Sequence, residues 1–153
     1  MLENCGHFPV HFNSSKLGSF SVDKEAQAEV QAQMEAHIDA GGAISLFPEG
    51  QVNRADYRTL QSFRRGSMAI AKNLVGRGGA VYGFLMVGVT EAWPTAESLP
   101  SHGADVRYKL FKVQNVDLTL ELPEFTNSIE RQMQAEMDTL VAAASAEKAK
   151  KAN

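Results

Sequence analysis

One passage, residues 23–47, limits the folds open to this chain more than any other. Ala26, Val30, Met34 and Ile38 recur every four residues, which predicts an apolar stripe on an α-helix over residues 23–40. Asp23 stands where an N-cap belongs, and Gly41-Gly42 closes the helix as a C-cap pair. Ala43-Ile44-Ser45-Leu46-Phe47 follows at once and ends in Pro48-Glu49-Gly50, which reads as a buried strand feeding a tight turn. Ahead of the helix, Gly18-Ser19-Phe20-Ser21-Val22 alternates like a short strand. Strand, long helix, strand is the order of a crossover unit, so the expected fold class is α/β, with a mainly parallel or mixed sheet flanked by helices.

Residues 8–12 are a short strand or extended segment, and Asn13-Ser14-Ser15-Lys16 is loop chemistry. A polar loop covers residues 51–58. A second helix runs from Ser67 to about Leu74, with Met68, Ala71 and Val75 inward, and Gly76-Arg77-Gly78-Gly79 breaks it. Residues 80–89 are almost continuously apolar, as in a strand covered on both faces. Residues 90–103 form a long surface loop, with Trp93 packing it down or lying at an interface. Residues 105–120 hold one or two strands. Phe125, Ile129, Met133, Met137 and Leu140 mark a last amphipathic helix, which trails into a frayed charged tail over residues 142–153.

Composition excludes several classes. At 153 residues the chain is one domain. A net charge of −3 makes no electrostatic case for nucleic acid. The single cysteine, Cys5, rules out an intrachain disulfide and any multi-cysteine zinc cluster. No run approaches the roughly 20 apolar residues that span a bilayer, and the first residues lack a signal-peptide pattern. His7 and His11 have the spacing of a helical metal pair, but Pro9 argues against that helix and no third ligand stands out, so no metal is expected. His37, near a helix end, is expected to be structural or solvated.

Glu49 falls at the carboxyl end of the expected strand, the edge where α/β sheets bind ligands. Arg54, Arg64 and Arg65 follow closely. The opposing reading is an ordinary exposed turn, with Glu49 solvated and the arginines on a wet helix face. Local chemistry leaves both open.

Several blocks in order carry a resemblance. Phe47-Pro48-Glu49-Gly50 resembles the Phe-Pro-Glu-Gly block of the glycerophospholipid acyltransferases, the lysophosphatidic acid acyltransferase group. Gly18-Ser19-Phe20-Ser21-Val22-Asp23-Lys24 looks like that family's preceding block, with Lys24 where arginine is usual. Leu60-Gln61-Ser62-Phe63-Arg64-Arg65-Gly66-Ser67 resembles the stretch after the glutamate block, and residues 80–88 its last apolar strand, without the usual proline. Gln51-Val52-Asn53-Arg54 departs from the commoner Thr-Arg-Ser continuation. The resemblance covers roughly residues 6–120. The family's catalytic block, a histidine followed five positions later by aspartate, is missing: the residues five after His7, His11, His37 and His102 are Phe12, Lys16, Gly42 and Arg107.

The resemblance implies residues 1–141 as a partial acyltransferase domain, with its sheet incomplete at the N-terminus and apolar surface exposed where the rest would pack. It implies transfer of an acyl group from acyl-CoA, the co-substrate, to the hydroxyl of a lysophospholipid, by general-base attack on the thioester without a further cofactor. It assigns the acceptor's phosphate and positioning to Lys24, Glu49 and Gly50. Arg54 and Arg65 join them by proximity in sequence, since arginine offers a fork for phosphate oxygens. It further implies a membrane-associated location facing the cytoplasm, with the isolated chain inactive. The alternative is a non-enzymatic lipid- or phosphate-binding relative that keeps only the acceptor pocket.

Overall fold

The four-residue stripe does build a helix. In the computed structural model, α1 spans Lys24–Asp39, with Val30 and Met34 buried and Ala26 and Ile38 half-buried. The structure describes residues 8, 12–16, 19–22, 24–51, 53, 56, 58–92 and 105–151. They belong to two units, Met1–Leu46 and Phe47–Asn153, each taken by itself.

In the first unit, β1 (Phe12–Lys16) pairs antiparallel with β2 (Ser19–Val22). The ladder matches Phe12 to Val22 and Lys16 to Ser19, with a register irregularity between Asn13 and Lys16. The polar run at residues 13–16 is thus strand rather than the expected loop, because ladder pairing overrides weak local preference. Helix α1 ends as expected: Gly42 N–H donates to the His37 carbonyl and Gly41 N–H to that of Ile38, both at 2.9 Å, with Gly41 at φ +83°. This is a Schellman closure, whose left-handed residue favours glycine. His37 packs edge-on to Phe8, ring centroids 5.9 Å apart, and a Cβ on Gly42 would overlap the imidazole. The expected strand at residues 43–47 is absent. That segment joins no ladder among the described residues, and Phe47 is 83% exposed. An apolar run becomes a strand only where a neighbour takes its N–H and C=O groups.

In the second unit, α2 (Arg65–Gly76) precedes β3 (Tyr82–Val87), a short α3 (Val89–Ala92), β4 (Arg107–Lys112) and α4 (Leu122–Lys151). Strands β3 and β4 pair antiparallel, from Tyr82 opposite Lys112 to Val87 opposite Arg107. The α/β expectation is therefore corrected. The described residues form two separate two-stranded antiparallel sheets in a mainly helical chain, with no parallel pair and no sheet flanked on both sides. The run at residues 80–89 is covered on one face only. Gly83, Leu85 and Val87 point inward, while Tyr82, Phe84 and Met86 stay exposed.

Helix α4 is the spine of this unit. Phe125 and Ile129 meet Phe63, Met68 and Val113 in one buried cluster, and Met137 meets Leu85 and Val87 in another. Its polar side chains satisfy backbone groups of loops that have no ladder. Glu130 accepts from Phe63 N–H at 2.5 Å, and Gln134 accepts from Leu60 N–H at 2.8 Å. Gln132 clamps Gln114, accepting from its N–H and donating to its carbonyl, each at 2.9 Å. The segment expected to fray from residue 142 stays helical through Lys151, and Glu147 on it pairs with Arg107 at 2.6 Å. Asp105 meets the same guanidinium at 2.8 Å, and together the two carboxylates raise its pKa.

The membrane-associated location is also corrected: among the described residues no helix is long and apolar enough to cross a membrane.

Just before α4, Asp117 Oδ1 accepts from Thr119 Oγ1 at 2.6 Å and Thr119 N–H at 2.8 Å. Bonds to the charged form lower its pKa. A carboxyl depressed by folding stabilises the fold above its unfolded pKa of about 3.9, and that stabilisation is lost as pH falls through the folded value. Asp117→Ala is therefore expected to lower the thermal midpoint near neutral pH. The gap from the parent should close under acid, read by melts across the range.

Candidate functional site

The Pro-Glu-Gly turn does not hang free. Gly50 N–H donates to the Phe47 carbonyl at 3.0 Å, with Gly50 in the left-handed region at φ +65°. The start of α2 then locks the turn from behind. Arg64 N–H donates to the Pro48 carbonyl at 2.6 Å, and its Nε to the Glu49 carbonyl at 3.1 Å. Glu49 Oε2 accepts from Gln61 N–H at 2.9 Å, and the Gln51 and Gln61 side-chain amides bond to each other. Two blocks more than ten residues apart are thereby laced into one corner.

At that corner α2 begins uncapped. Arg64 holds the N-cap position in extended conformation with no side-chain cap, and the first turn carries no acid. The first helical bond is Met68 N–H to the Arg64 carbonyl, at 3.1 Å. The N–H groups of Arg65, Gly66 and Ser67 lie ahead of it and take no partner among the described residues. Arg64 and Arg65 are both exposed, and Arg64 commits only its Nε. Free N–H groups at the positive end of a helix, with arginine at the N-cap and at the first helical position, suit an anion, and a phosphate above all. The charge of half-buried Glu49 works against an anion there, and the two arginines offset it. Glu49 Oε2, committed to the Gln61 N–H, holds the corner.

Of the residues singled out from sequence, Glu49, Gly50 and Arg65 meet here. Lys24 opens α1 in the other unit. Arg54 lies outside the described residues, as do Cys5, His7, His11 and Trp93. No group of three histidine, cysteine, aspartate or glutamate side chains suited to a metal occurs among the described residues. Sequence reasoning missed Gln61 and the α4 residues Glu130 and Gln134, which hold the approach to α2 through backbone bonds. Nothing in residue spacing signals such bonds.

Elsewhere, a cleft of about 120 Å³ lies between Arg58, Gly88, Arg107 and Ser145. Its guanidinium at Arg107 is already engaged by Asp105 and Glu147.

Comparison with protein-family models, with curated proteins and with solved structures gives no significant match.

The corner makes a direct prediction. Glu49→Ala removes the acceptor for Gln61 N–H and is expected to cost about 1–2 kcal/mol. Glu49→Gln keeps a side-chain oxygen and should lose less than half of that. Urea unfolding of the three proteins side by side checks the order.

Proposed function

We propose that this chain supplies the acceptor-binding part of an acyl transfer from acyl-CoA to a lysophospholipid, gripping the acceptor's phosphate at the start of α2. One observation carries the reading. The Phe47-Pro48-Glu49-Gly50 block and the Arg64-Arg65-Gly66 block, which resemble consecutive blocks of one acyltransferase group, meet at a single uncapped helix N-terminus. In such a transfer the acceptor hydroxyl gives its proton to a base and attacks the thioester carbonyl, expelling the CoA thiolate. This chain's part is to hold the phosphate with Arg64, Arg65 and the free N–H groups, and so to fix the hydroxyl. No histidine of the chain is followed five positions on by aspartate. That observation favours a second reading, a phosphate-binding module without catalysis.

The test is calorimetric titration of the 153-residue chain with a short-chain lysophosphatidate below its micelle concentration. Saturable binding is expected, weakened about tenfold or more when Arg64 and Arg65 are both replaced by alanine. No binding, or equal binding by the double variant, overturns the assignment. Free thiol released from acyl-CoA only when lysophosphatidate is present, and lost in Glu49→Ala, would show that the isolated chain catalyses and remove the second reading. No release is the expected result.

A further inference from the structure

The β3–β4 ribbon packs Leu85, Val87 and half-buried Phe111 inward on one face, yet its open face is apolar as well. A ribbon covered on one side ordinarily turns its apolar residues toward the cover and its charges to water. Here β4 turns Arg107 and Lys109 toward α4, where they pair with Glu147 and Glu136. The opposite face carries Tyr82, Phe84, Met86, Val106, Tyr108 and Leu110, each between 43% and 71% exposed. Cross-strand register puts Phe84 opposite Leu110 and Met86 opposite Tyr108, so these side chains form one continuous patch. Phe84 and Tyr108 touch at its centre, with ring centroids 6.0 Å apart. Lys112, opposite Tyr82, sets a charge at one end.

We propose that this face is the interface of a two-fold homodimer, in which the ribbons of two copies pack face to face. Area supports a second copy as the occupant. At the 150–250 Å² an aromatic side chain can bury, and somewhat less for the aliphatic ones, the exposed fractions amount to about 600 Å² per copy. Two copies then bury on the order of 1,200 Å², the lower bound for a specific stable interface. A patch of that size is at the upper limit of what monomers leave open. Its centre is aromatic and uncharged, and its lysine lies at the rim, the usual anatomy of an interface core.

Sedimentation equilibrium of the full chain tests this, with Phe84→Glu and Leu110→Lys prepared separately. Both positions are more than half exposed, so neither substitution empties the core, and far-UV circular dichroism checks that the fold is kept. The parent is expected to be a dimer at micromolar concentration, with each variant raising the dissociation constant by more than about 30-fold. A parent that stays monomeric to hundreds of micromolar overturns the proposal. So does a dimer that both variants leave intact. A monomeric parent whose thermal midpoint drops in both variants also overturns it, by showing that the face is covered within one chain.

Discussion

Phe125→Ala will lower the unfolding free energy by about 3–5 kcal/mol, the usual cost of emptying a buried phenylalanine site. Phe125 is 1% exposed and sits where the first turn of α4 meets Phe63, Met68, Val113 and Ile129. Those neighbours come from the loop before α2, from α2, from the segment after β4 and from α4 itself. The cavity therefore cannot close by moving one side chain, and little relaxation will offset the loss. The Lys72 ammonium, 5.9 Å from the ring centre, loses a cation–π contact as well. Against a typical total of about 5–15 kcal/mol, such a loss brings the unit close to unfolding at ambient temperature. Urea unfolding is the measurement, and Phe47→Ala is the control. Phe47 is 83% exposed and should lose far less. Similar losses for both would mean that Phe125 is not the centre of the core.

Gly88→Ala should cost about 2–4 kcal/mol, more than any other glycine-to-alanine change in the second unit. Gly88 has φ +89°, and a Cβ there would lie 2.2 Å from the Asp105 carbonyl oxygen and 3.2 Å from its carbonyl carbon. Both obstacles are backbone, so relief requires parting the end of the ribbon where Val87 faces Arg107. The Gly88 carbonyl also accepts from Ala92 N–H at 2.9 Å, closing α3, and would be dragged along. Gly78→Ala isolates the cause. Gly78 has φ +94° but nothing within 4 Å of its would-be Cβ. It should show only the backbone cost, about 1 kcal/mol. The difference between the two variants measures the steric overlap alone.

The helices were legible because their signals are local. The four-residue stripe of α1 and its Gly41-Gly42 closure were readable directly, as was the apolar series of α4; on α2 Met68 is buried as expected, but its other buried residue is Leu74, with Ala71 and Val75 only half-buried. Strands were legible only as apolar runs. Residues 82–87 became one, residues 43–47 did not, and the polar residues 13–16 did, because a strand is defined by a neighbour that local sequence does not name. The α/β expectation failed for that reason. It assumed that the segment after α1 returned to a shared sheet.

The candidate site divides in the same way. Glu49, Gly50 and Arg65 stood out as residues. What joins them is the bond from Gln61 N–H to Glu49 and the two bonds from Arg64 to the turn, all of which link segments separated along the chain.

Sequence by itself determined the three long helices, the Gly41-Gly42 closure, the Pro-Glu-Gly turn and the absence of a histidine–aspartate pair, since each depends on residues a few positions apart; the expected N-cap, Asp23, lies outside the described residues. Only the tertiary structure decided which runs pair as strands, which face of the β3–β4 ribbon stays open and what holds the start of α2. Those outcomes depend on which distant backbone groups and side chains arrive to satisfy one another.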